Sequence, residues 1–109
     1  MIIETQLSTT IVKNTTSTLN SFLETLNLEL ANYKTQNIIV DVSTINTNLK
    51  DIKLFAEASK NHKKNKKSFI IVAINLDYNS IPTKLSVVPT IQEAKDLIEM
   101  EEIERDLRF

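Results

Sequence analysis

The chain reads as a single α/β domain built on a mixed sheet of about five strands, and three observations predict it. Residues 37–42 and 68–74 are short runs rich in β-branched and aromatic residues, with the length and continuity of strands buried on both faces. Leu19, Phe22, Leu23, Leu26, Leu30 and Tyr33 recur at helical spacing before the first run, and Ile52, Phe55, Ala56 and Ser59 do so between the two. A third helix start follows the last apolar run at Thr90. Helices alternating with short buried strands predict parallel pairing through right-handed crossovers. The expected order is ββαβαββα, with the helices mainly on one face.

Each element has a local cause. Residues 2–7 and 9–13 form two short strands of a hairpin turning near Ser8. At Thr18 the period changes to helical, with Ser17 or Thr18 as the cap. The strand at 37–42 leads through a polar loop, 43–48, into the second helix, which ends in the lysine-rich stretch 60–67. After the strand at 68–74, Asn75, Asp77, Asn79 and Pro82 mark a loop, and 85–88 is a short last strand. In the final helix, Thr90 and Glu93 form a Thr-x-x-Glu capping box, Pro89 rigidifies the approach, and Glu93 and Asp96 favour the positive end of the helix dipole. Its expected core face is Ile91, Ala94, Ile98 and Ile103.

Composition removes whole classes of chemistry. The 109 residues give room for one core, 1–109, with 101–109 as an extension of the last helix. There is no cysteine, which excludes disulfides, thiolate ligands and cysteine nucleophiles. There is no glycine, which excludes glycine-rich phosphate cradles, dinucleotide fingerprints and nucleophile elbows. Turns are therefore expected on Asn, Asp, Ser and Pro. The longest apolar run, 69–74, is too short to cross a bilayer, and Glu4 interrupts the apolar start, so the expected setting is cytoplasmic.

The residues resemble the STAS family, the sulfate-transporter and anti-sigma-factor-antagonist domains. Ile38-Ile-Val-Asp-Val-Ser-Thr-Ile45 is similar to the family's V-V-L-D-L-S-G-V strand, 68–72 to its next strand, and Thr90-Ile-Gln-Glu-Ala94 to the start of its last helix. The resemblance implies a STAS-like fold and a bacterial regulatory role in protein binding, with an anti-sigma-kinase-like protein partner. Counting from Asp41, the family's phosphorylated serine falls on Lys50 or Asp51, neither of which has a hydroxyl, so no phosphoserine switch is carried over. Asp51 either stands as a fixed negative charge in place of a phosphate or simply favours the helix dipole. The connection after Ile74 is also too short for the helix many family members place there.

Other candidates are weighed on their residues. His62 is the only histidine, too few for a zinc centre, and reads as a partly exposed surface residue. Residues 50–67 hold seven lysines and two acids, a local charge of +5 suited either to a solvated helix end or to phosphate contacts, without arginine and without aromatics interleaved among the lysines of 60–67 for base stacking. The carboxylates of the last helix read as a solvated face or an acidic docking surface. Leu107 and Phe109 are expected to pack on the domain or on a partner.

The expected function is thus a non-enzymatic interaction module without cofactor or metal, monomeric or weakly dimeric. Its contact residues would be Ser43, Thr44, Thr47, Lys50, Asp51, Lys53, Leu107 and Phe109. The alternatives are a nucleic-acid-associated adapter using 60–67 and a small hydrolase or nuclease.

Overall fold

Two segments rich in threonine and isoleucine begin the fold as a hairpin. In the computed structural model, which describes residues 1–15 and 18–107, β1 (Ile2–Gln6) and β2 (Thr9–Lys13) pair antiparallel from Ile2↔Lys13 to Gln6↔Thr9. The turn falls on Leu7 and Ser8, with Leu7 at φ 53° and 97% exposed. Beyond the hairpin, β2, β3 (Asn37–Asp41), β4 (Phe69–Val72) and β5 (Ser86–Val88) pair in parallel, giving one five-stranded mixed sheet in the order β1-β2-β3-β4-β5. Every residue of β3 and β4 is buried, including Asn37 and Asp41 at the ends of the Ile38–Val40 run.

Three helices cover one face. Thr18 caps α1 (Leu19–Glu29) by accepting from the Ser21 N–H, and a 3-10 turn (Leu30–Tyr33) completes the crossover to β3. Phe22 and Leu26 of α1 pack on Val12, Ile38, Val40, Phe69 and Ile71. The second crossover divides into α2 (Leu49–Lys53) and α3 (Ala56–Lys63). Between them the N–H groups of Leu54 and Phe55 reach Asp51 and Ile52 carbonyls three residues back, at 3.1 Å each. This tightened turn leaves Ile52 and Phe55 fully buried. The β4–β5 connection holds only a 3-10 turn (Tyr78–Ser80), capped by Asp77 and tied back by Tyr78 Oη donating to the Ala73 carbonyl at 2.7 Å.

The fourth helix, α4 (Ile91–Asp106), covers the other face, setting Ala94 and Ile98 on Ile11, Ile39, Ile70 and Val72. Thr90 Oγ1 accepts from the Glu93 N–H at 3.1 Å, but the Glu93 carboxylate does not return a bond, so only half of the expected capping box forms. Leu97, not Ile103, completes the inner stripe; Ile103 is 54% exposed. It lies nine residues beyond Ala94, which at about 100° per residue places it on the opposite side of the helix. With no glycine in the chain, the left-handed backbone positions fall on Leu7, Lys66 and Asn75, of which only the asparagine matches the turn chemistry expected from composition.

Candidate interaction site

In a parallel sheet, loops at the carboxyl ends of the strands are where ligands and partners meet the fold. Here that edge carries the loop 43–48 and the start of α2. Asp41, nearly buried at the end of β3, accepts from the Ser43 N–H at 2.9 Å and from Ser43 Oγ at 2.6 Å through the same oxygen, a turn that reverses the chain out of the sheet. Thr44 Oγ1 donates to the Asn14 carbonyl at 3.0 Å, and the Asn14 N–H donates to the Asp41 carbonyl at 2.9 Å, so the loop is fastened to the end of β2. Thr47 is buried, with no hydrogen-bond partner for Oγ1 among the described residues.

Asn48 and Asp51 form a full capping box. The Asp51 N–H donates to Asn48 Oδ1 at 2.9 Å, and the Asn48 N–H donates to Asp51 Oδ2 at 3.1 Å. Asp51 thus has a structural task at the first turn of α2. Lys50 and Lys53 remain exposed on this short helix, as does Leu54 just beyond it.

The expected contact residues do not form one site. Ser43, Thr44, Thr47, Lys50, Asp51 and Lys53 fall within one loop and helix on the α1–α3 face, with Ser43, Thr44 and Asp51 engaged in holding the loop. Leu107 follows α4 on the other face and is 68% exposed, so it does not pack on its own domain. Phe109 lies outside the described residues.

His62 departs from its expected surface position. It is 4% exposed, with Nε2 2.7 Å from the Gln36 carbonyl and its ring tilted against Phe69 at a centroid distance of 6.0 Å. Burial pushes its pKa below the ordinary histidine value, partly offset by the Gln36 carbonyl. A neutral ring donating from Nε2 satisfies this geometry, which makes His62 a core strut. Among the described residues no three His, Cys, Asp or Glu side chains come together as a metal site.

One buried polar cluster had no individual signal in the sequence. Arg105 of α4 donates from Nη1 to Ser68 Oγ at 3.1 Å and from Nη2 to Asn37 Oδ1 at 3.3 Å, while the Ser68 N–H donates to the same Asn37 oxygen at 2.9 Å. The last turns of α4 are therefore fastened to the amino ends of β3 and β4, and Arg105 belongs to the fold. The only sequence hint was polar residues heading both strands, Asn37 and Ser68, which signals a strand boundary but not its partner.

The lysines of the 60–67 stretch also acquire a setting. Ala56, Glu57, Lys60, Lys63, Lys64 and Lys84 line an open groove of about 880 Å³ between α3 and the β4–β5 connection, where Lys63 Nζ donates to the Lys84 carbonyl at 2.8 Å. The only ion pair among the described residues is Lys13–Glu4 at 3.8 Å, so these lysines have no carboxylate within salt-bridge distance. No helix among the described residues is long and apolar enough to cross a membrane. Comparison with family models, curated proteins and solved structures found no match for this chain.

Proposed function

We propose that this chain is a non-enzymatic, STAS-like interaction module, cytoplasmic, that engages a protein partner through the loop 43–51 and α2 without a phosphoserine switch. The observation that carries the reading is the organisation of that loop. It is fastened by the Asp41–Ser43 turn, the Thr44–Asn14 bond and the Asn48–Asp51 box, yet it presents Lys50, Lys53 and Leu54 to solvent. A fastened loop loses little entropy on binding, which favours its use as a docking element. The STAS resemblance of residues 38–45 supports the same surface. The test is affinity capture with the wild-type protein and Lys50→Glu/Lys53→Glu. One dominant partner, lost with the double variant, is the expected result; the same proteins recovered by both would refute it.

The lysine-lined groove favours a second reading, an adapter that contacts nucleic-acid phosphates through Lys60, Lys63 and Lys64. That reading requires affinity for an RNA or DNA oligonucleotide to fall steeply with salt, and a flat dependence removes it.

A further inference from the structure

We propose that copies of this chain associate head to tail, the exposed apolar stripe of α4 in one copy seating in the lysine-lined groove of the next. The proposal does not involve the loop 43–51; it places a second copy of the chain in the groove that the nucleic-acid reading would use.

Two unpartnered surfaces carry it. On α4, Met100 and Ile103, with Leu107 just beyond, sit at i, i+3 and i+7, which aligns them on one side of the helix. They are 58%, 54% and 68% exposed, a second apolar stripe opposite the one that packs on the sheet. Carboxylates flank it: α4 holds seven acids against Lys95 and Arg105, a local charge of −5, and none of the acids is ion-paired among the described residues. The groove matches it in reverse. Its lining is Ala56, Glu57, Lys60, Lys63, Lys64 and Lys84, four lysines against one acid, and lysine stems with charged heads receive an apolar stripe bordered by acids. It belongs to a stretch, 50–67, whose charge is +5. The net charge of −1 thus hides two strong, opposite patches.

Their positions exclude pairing within one molecule. α3 packs on one face of the sheet through Ala58, and α4 on the other through Ala94 and Ile98. Symmetric pairing through α4 is disfavoured, because it would bring two acidic helices together. The complementary occupant is the groove of a second copy. Such an interface is heterologous, each copy keeping one free stripe and one free groove, and it builds rings or open chains.

Sedimentation velocity over a concentration series, at low and high salt, tests this. The wild type is expected to sediment faster as concentration rises and to lose most of that rise at high salt. Lys60→Glu/Lys64→Glu and Met100→Asp/Ile103→Asp, all at exposed positions, should each stay monomeric. Mixed together they should form a one-to-one dimer and nothing larger, because only one intact stripe and one intact groove remain. Circular dichroism confirms that each variant is folded, and Lys60→Ala/Lys64→Ala replaces the charge reversal if that variant is not. A wild type that stays monomeric throughout overturns the proposal. So does a groove variant that associates like the wild type, which would indicate a symmetric α4 contact, or a mixture of the two variants that does not associate.

Discussion

Replacing Arg105 with methionine tests whether the end of α4 is part of the fold or an appendage. Methionine keeps an unbranched, apolar stem and removes only the guanidinium, so the effect reports the bonds to Ser68 Oγ and Asn37 Oδ1 at 3.1 and 3.3 Å. A hydrogen bond from a charged donor contributes about 1.5–3 kcal/mol. The two do not add in full here. Asn37 Oδ1 keeps its bond from the Ser68 N–H, and the Nη2 contact is long, so most of the loss falls on Ser68 Oγ in a residue 1% exposed. The expected destabilisation is about 2 kcal/mol, equivalent to a melting temperature lower by roughly 8–12 °C. Urea unfolding followed by circular dichroism measures it as a lower midpoint at unchanged slope. In a Ser68→Ala background the same substitution should cost about 1 kcal/mol less, since one acceptor has already gone. A loss below about 0.5 kcal/mol in the wild-type background, in the range of ordinary surface substitutions, would refute the clamp and return the last turn of α4 to the solvent.

Three further outcomes follow from single features. Leu7→Gly should stabilise the protein by about 0.5–1 kcal/mol in the same urea assay, because Leu7 holds φ 53° while burying almost nothing. Asn48→Ala should cost about 1 kcal/mol in the same urea assay by removing the acceptor for the Asp51 N–H. The buried His62, whose folded pKa is depressed below 6.5, binds a proton less readily folded than unfolded. Its contribution to stability is therefore complete above pH 6.5 and is lost as pH falls through the lower, folded value. His62→Gln should flatten the decline that sets in as pH falls below 6.5; equal slopes in the two proteins would contradict it.

The elements that sequence alone located were those with a repeating cause. β3 and β4 are built on β-branched and aromatic runs and are buried throughout, and α1 follows its apolar stripe with Thr18, one of the two expected caps, accepting from Ser21; the other, Ser17, lies outside the described residues. The failures have a common physical origin in rotation and reach. Ile103 looked like core because it is apolar, but nine residues from Ala94 turn it away from the sheet. The second helix divides at Leu54 because the i−3 bonds there serve the burial of Phe55, a tertiary demand that periodicity does not record. His62 followed the inner face of its helix in the sequence, yet its lysine neighbours suggested exposure. Lys60, Lys63 and Lys64 border open space, while His62 turns beneath them to the Gln36 carbonyl.

The candidate surfaces were legible in the same uneven way, and the reason bears on how this chain works. Local composition marks a patch only when its residues are contiguous, so the +5 stretch at 50–67 and the acidic α4 were both visible. Lys84, which closes the groove, is twenty residues from Lys64 and joins it only because a short β4–β5 connection returns beside α3. The Asn48–Asp51 box gives the opposite case: Asp51, one of the two residues on which the phosphoserine position of the STAS resemblance falls, is held by a local bond that also fixes the start of α2. A phosphate placed there would have to break that box to gain its partners. Asp51 therefore fixes the start of α2 in one arrangement. The patches with unmatched charge, the groove and α4, lie on opposite faces of the sheet, so neither can neutralise the other within one molecule.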